Sequence, residues 1–430
     1  MASEKYDDTK PREATPPNAL PLTKDKQPPS ELDFDTDLKA WLQVLGAFFL
    51  WFNSWGLINT FGVFQTFYQQ SILSHHSPSA IAWIGSLQSH LLMSIGVITG
   101  PLFDAGYFPI LLPFGTFMVV LGYMMTSLST NYYQIMLAQG LCVGIGTGCL
   151  FVPSVALLPQ YFRNKRALAN GIAATGASIG GVIYPIIFYK LQQSTGFPWA
   201  TRALGFVCLA TSSVSIAFMR VRVQPSTKRA LLQLSAFKYS QYSLFCLAMF
   251  FGFLGFYNFL SFVQPWAFDQ RIASENLSFY LLPILNAAST FGRITPNFLA
   301  DHVGPLNMLA PAAGITALLA YCWIAVNSTA GIIVLSIFYG FFSGGFVSLP
   351  PVVMTALTKD LRDLGTRLGM FFAVVSLALL VGTPIGGAIL TGSNSYLGVQ
   401  VFCGSCLAVC FIITCSIRLL RSGFTLRYRT

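Results

Sequence analysis

The chain has 430 residues, 54% of them hydrophobic and only 9% charged, with a formal net charge of +10. A water-soluble globular chain is nearer a quarter charged, so an ordinary soluble domain is excluded. The basic residues form no patch interleaved with aromatics, so the positive charge does not call for a nucleic-acid partner.

Residues 1–38 place Pro11, Pro16, Pro17, Pro21, Pro28 and Pro29 among charges with no apolar period. They are expected to be a disordered cytoplasmic tail. The start is acidic and Pro-rich, without the short apolar core of a signal peptide. The first spanning helix is therefore expected to act as its own insertion signal.

A spanning helix needs about 20 apolar residues. Twelve such segments follow, at 40–68, 80–99, 109–128, 133–158, 167–188, 200–219, 241–265, 277–298, 306–326, 330–356, 368–390 and 396–417. They divide the chain into a six-helix bundle at 39–219, a basic cytoplasmic linker at 220–238, a second bundle at 239–420 and a tail at 421–430. Pro101-Leu-Phe-Asp104 maps onto Phe298-Leu-Ala-Asp301, Gly148 onto Gly345 and Pro153 onto Pro350, all at one offset. A repeat of about two hundred residues within an apolar chain predicts a duplicated membrane bundle, with any binding site at the interface of the repeats.

Charge placement gives an orientation. Near predicted helix ends, 18 Lys and Arg fall on one side of the membrane, at 24–39, 163–166, 220–238, 359–367 and 418–429. The other side has Lys190, Arg202 and Arg271. Positive residues stay inside, so both termini and the central linker are expected in the cytoplasm. The sequons Asn276-Leu-Ser278 and Asn327-Ser-Thr329 fall in loops assigned to the outside, in agreement with this orientation. All nine cysteines lie within predicted spans; no disulfide framework, metal or cofactor is expected.

Nine of the fifteen carboxylates lie at or before Asp37. The other six, Asp104, Asp269, Glu275, Asp301, Asp360 and Asp363, sit in loops or at helix ends. The ionisable residues well inside spans are His90 and Arg293. An intramembrane Arg needs a cavity or a partner, and its planar fork suits a carboxylate. Arg293 is therefore expected either to meet an anionic ligand or to lie near the cytoplasmic end, snorkelling or pairing with Asp301. His90 is a candidate proton carrier, with hydrogen-bonded packing as its ordinary role. Asn59, Gln139, Asn258, Asn286 and Tyr339 are the other polar groups expected to line a cavity. Six phenylalanines crowd the seventh helix between Phe250 and Phe262, as bulk or as a surface for an aromatic substrate. No nucleophile–base pair or metal set lies within the membrane, so an enzyme is not expected.

Tyr161-Phe-Arg-Asn-Lys-Arg-Ala-Leu-Ala-Asn-Gly171-Ile-Ala-Ala-Thr-Gly176 joins a basic turn to a helix with small residues at three- and four-residue steps. Such faces let helices approach closely in lipid. The stretch resembles the Tyr-Phe-x-(Lys/Arg)-(Lys/Arg)-x-Leu-Ala-x-Gly pattern of the monocarboxylate porter family of the major facilitator superfamily. Asp35-Thr-Asp-Leu-Lys-Ala40-Trp41 resembles that family's other signature, with Thr36 and Asp37 in place of two glycines. Asn286-Ala-Ala-Ser-Thr-Phe-Gly292-Arg293 and Leu299-Ala-Asp301-His-Val-Gly304 resemble its fungal branch. The resemblance implies an all-α fold of twelve helices in two pseudo-symmetric six-helix bundles, working by alternating access. It implies a secondary carrier for a small, anionic, monocarboxylate-like metabolite, sited at the plasma membrane. The alternatives are an exporter of a larger fungal metabolite and a transporter-like nutrient sensor. The partners expected are substrate and bilayer, with no obligate protein partner. The resemblance also implies conformational roles for the loop residues Asp104, Asp301, Arg163 and Arg166, with plain helix capping as the other role for Asp104. Proton-coupled members carry an Asp where this chain has Ser289, so the resemblance does not supply a proton carrier there.

Overall fold

The computed structural model describes residues 37–222, 233–358 and 364–422. These residues are helical, with short turns and no strand among them. Residues 1–36, most of the basic linker, 359–363 and 423–430 lie outside that description, as do the expectations placed on them.

Ten helices are long and apolar enough to cross a membrane. They are α1 Leu38–Gln70, α2 Ser79–Phe103, α3 Phe108–Thr126, α4 Tyr132–Gln160, the 53-residue run Arg166–Phe218, α7 Ser240–Asp269, α9 Pro305–Ala325, α10 Thr329–Leu357, α11 Leu364–Ser393 and α12 Tyr396–Arg421. The 53-residue run turns at Gly196, whose φ of 81° favours a residue without Cβ. It is therefore two helices, α5 at 166–195 and α6 at 197–218. The twelfth helix, α8, spans Glu275–Val303. It falls outside the hydropathy set because it carries Asn286, Arg293, Asn297 and Asp301.

Backbone polar groups have no water to bond within a bilayer, so helices are the natural spanning form for this chain. Side chains close several of the helix starts. Asp37 accepts from the Lys39 N–H, Ser77 from Ala80, Ser274 from Leu277 and Ser328 from Gly331. Asp37 serves as the α1 cap. Ile110, Phe117, Leu128, Leu318, Ile412 and Leu420 stand exposed, as a lipid-facing surface requires.

The repeat appears in the packing. A Cβ at Gly148 of α4 would stand 2.7 Å from Ile95 of α2. One at Gly345 of α10 would stand 3.4 Å from the Gly292 carbonyl of α8. Ile95 and Gly292 are related by the same sequence offset as the two glycines. Helices α1–α6 and α7–α12 form the two bundles. They meet along two seams, α5 against α8 and α2 against α11.

Candidate functional site

Small residues make the seams narrow. In the first, a Cβ at Gly171 would lie 2.5 Å from the Arg293 carbonyl, and one at Gly181 2.9 Å from the Asn286 side chain. In the second, Gly369 approaches the Gly96 carbonyl and Gly100 the Gly365 carbonyl. Between the seams lies a central chamber lined by Trp51, Trp55, Met93 and Phe151 of the first bundle. Phe253, Val347, Pro350, Pro351, Phe371 and Phe372 of the second complete it. Helices α1, α2 and α4 thus face α7, α10 and α11. Phe151 meets Phe372 across the interface with centroids 5.3 Å apart. The chamber's free volume is about 10 Å³, room for one water at most, so the bundles are closed over it.

Arg293 stands at the chamber's edge. Its guanidinium carbon is 6.0 Å from the Trp51 ring, and the residue is 5% exposed. Nη1 donates across the seam to the Ala174 carbonyl at 2.9 Å, and Nε donates to Ser289 Oγ at 3.4 Å. Arg293 therefore neither snorkels nor pairs with Asp301. Ser289 is an acceptor for the arginine.

Asn59 also belongs to this interface. It donates to the Ala177 carbonyl at 3.5 Å and to Asn286 Oδ1 at 3.4 Å. With Gln65, Ser86, Ser89, Tyr257, Ser261 and Thr383 it lines a second cavity of about 50 Å³. Tyr257 stacks on Trp55 at 6.2 Å, and that pair of rings lies between the polar cavity and the aromatic chamber. His90 bridges the other seam, with Nδ1 3.1 Å from the Ser376 carbonyl.

The remaining polar candidates lie inside single bundles. Gln139 accepts from the Tyr68 hydroxyl at 2.5 Å in the first bundle. Tyr339 stacks on Phe259 at 3.9 Å and donates to the Phe256 carbonyl. Asn258 donates back to its own helix at Leu254 and Gly255. Phe256 and Phe259 of the crowded seventh helix pack with Tyr339 in the second bundle's interior, while Phe253 lines the chamber. Sequence reasoning missed Trp51 and Trp55. Their four-residue spacing, which puts both on one helix face, was the available sign.

At the basic end a vestibule of about 750 Å³ opens between the bundles, lined by Arg163, Lys165, Arg166, Asp301 and His302 among others. The Asp301 carboxylate accepts from the backbone N–H groups of Ala167 at 3.1 Å and Leu168 at 3.0 Å. A carboxylate of one bundle thus caps the positive N-terminus of a helix in the other. Arg166 Nε donates to the Phe162 carbonyl, and Phe162 packs edge-on against Trp41 of α1. The side chain of Asp104, the repeat-related acid, is outside the described set. Asp301→Asn is expected to weaken this clasp. Cysteines placed at the vestibule rim should label several-fold faster with a water-soluble maleimide in the variant, and an unchanged rate would remove Asp301 from the clasp.

The sequence profile of the Major Facilitator Superfamily matches residues 40–329. "MFS-type transporter dbaD" of Emericella nidulans is 45% identical over 380 residues, covering 88% of this chain and 86% of that protein. "Aspyridones efflux protein apdF" of the same organism is 41% identical over 379 residues, 88% of this chain and 77% of that one. "Fujikurins efflux protein" of Gibberella fujikuroi is 36% identical over 409 residues, 94% and 86% of the two chains. Among solved structures, the human organic anion transporter MFSD10 (TETRAN) superposes with a TM-score of 0.67 at 14% identity, covering 89% of this chain and all of that one. The transporter FucP in its outward conformation gives 0.67 at 16% identity, covering 87% and 98%. At these identities the two structures show a shared fold and nothing finer.

Proposed function

The chain belongs to the Major Facilitator Superfamily, whose members are membrane transporters, and from that premise we propose that it exports an organic metabolite by alternating access of its two bundles. The observation that carries this reading is the chamber between the bundles, walled by aromatic rings and edged by one buried guanidinium. Aromatic walls suit a molecule larger than a lactate-sized acid. Two relatives named for efflux, of aspyridones and of fujikurins, weigh for export of a fungal secondary metabolite over carriage of a small monocarboxylate. In this reading Arg293 meets a negative or strongly polar group of the substrate, and Asn59 and His90 act at the seams. Asp301, Arg163 and Arg166 control closure of the basic end, with Asp104 as the repeat-related counterpart of Asp301.

The test is efflux from cells loaded with the fluorescent aromatic acid 2-naphthoate. Cells carrying the protein are expected to lose the probe several-fold faster than control cells. Equal rates would count against the reading.

Both termini are proposed to be cytoplasmic at the plasma membrane, on the positive-inside count. Tags at Met1 and Thr430 should then resist protease added to intact cells; cleavage of either tag refutes the orientation. Among the described residues no carboxylate lies at the centre of a span.

A further inference from the structure

Trp51 and Trp55 are 1% and 2% exposed, and neither indole N–H has a hydrogen-bond acceptor. Indole nitrogen is a donor only. A buried donor without an acceptor is costly, so most native examples are satisfied or have a use. The two stand four residues apart on α1, on one helix face, and both line the central chamber. Both present edge-on geometry to Phe151, with centroids 4.9 and 5.6 Å away. Among the side chains lining the chamber, the two indole N–H groups and the thioether of Met93 are the polar functions. No lining side chain is a carboxylate, amide or hydroxyl. Arg293, whose guanidinium carbon is 6.0 Å from the Trp51 ring, is again a donor.

We infer that the chamber, once the two bundles part, selects flat aromatic molecules bearing carbonyl-type oxygen acceptors, received by the indole N–H groups of Trp51 and Trp55. The rings supply stacking surface, and the donors set which aromatic is retained. A protonated amine would bring N–H donors to a site that offers donors, and its charge would be repelled by the guanidinium of Arg293. A sugar would bring hydroxyl groups, each needing an acceptor that the lining side chains lack. A plain aromatic hydrocarbon would leave both N–H groups unmet. This inference rests on the transport reading above for its biological meaning. Its chemistry concerns binding alone.

The experiment uses the whole protein in lipid nanodiscs, with empty nanodiscs as the blank. The probes are flavone, a neutral aromatic ketone without donors, and 2-phenylnaphthalene, a hydrocarbon of similar outline. Flavone is expected to bind at least about tenfold more tightly. On saturation with flavone, the hydrogen-bond-sensitive indole band in ultraviolet resonance Raman spectra should lose most of its free N–H component. Trp323, the third buried indole without an acceptor among the described residues, should keep its share. In the double variant W51F/W55F the two probes should bind within about twofold of each other.

Equal binding of the probes by the wild-type protein, an unmoved Raman band, or a preference that survives in the double variant each overturns the inference. The Raman result needs no variant, so a double variant that fails to fold does not shield it. Flavone preference absent with 2-naphthoate efflux intact sinks this inference alone. Flavone bound as expected with no efflux sinks the transport reading and leaves the selectivity standing.

Discussion

Arg293→Gln is expected to lower transport by about 100-fold or more while the protein reaches the membrane at normal abundance. The guanidinium is buried, held by one backbone carbonyl of the other bundle and one hydroxyl of its own helix. A cation kept inside a bilayer without a carboxylate is expensive, so replacing it with a neutral amide removes a burden on folding. A purely structural arginine would behave in the opposite way, its loss destabilising the bundle. Two charge-assisted hydrogen bonds to a substrate anion, each contributing about 1.5 kcal/mol or more, account for a factor of this size. Arg293→Lys keeps the charge and loses the fork, so a small residue of transport should remain. Transport and surface abundance measured on the same cells decide the matter. Wild-type transport in Arg293→Gln would remove the residue from the site.

Two glycines five residues apart on α5 should fail in different ways. A Cβ at Gly176 would run into the Phe48 carbonyl and lie 3.1 Å from the Phe52 nitrogen, both backbone atoms of α1 in the same bundle. Gly176→Leu is therefore expected to prevent assembly of the first bundle and cut abundance about tenfold or more. A Cβ at Gly171 would instead meet the Arg293 carbonyl at 2.5 Å and Asn297 at 2.8 Å, in the other bundle. Gly171→Leu should leave both bundles folded but hold the α5–α8 seam apart. Abundance should stay near wild type while transport falls about 100-fold. Equal loss of abundance in both variants would mean that the α5–α8 contact is part of the folding core and not a moving seam.

The twelve spans, the six-and-six division and the duplicated architecture were legible because hydropathy, length and one repeat offset carry them. Helix α8 was legible for a second reason, since its polar residues mark it as the one least suited to lipid. The faces of the helices were much harder to read. In lipid the outer face and the bundle core are both apolar, so the 3.6-residue period that identifies a buried face in a soluble protein is largely erased. Gln139, Asn258 and Tyr339 look like cavity residues on that basis, yet each points its bonds into its own bundle. Trp51 and Trp55 look like ordinary apolar bulk, yet they wall the chamber. The turn at Gly196 falls in the polar stretch between the fifth and sixth spans, whereas nothing in the hydropathy marks the π-helical stretch Met136–Val143 in α4.

The central claim is that this chain carries an organic metabolite out of the cell through the chamber between its bundles. Untargeted comparison of metabolites in medium and cells tests it most directly, using a strain without the gene and the same strain restored with wild type or with Arg293→Gln. The account predicts an aromatic, oxygen-rich compound that accumulates in cells and falls in the medium when the gene is absent. Wild type should reverse the shift and Arg293→Gln should not. Indistinguishable metabolite profiles with and without the gene, under conditions where the protein is present in the membrane, would contradict it.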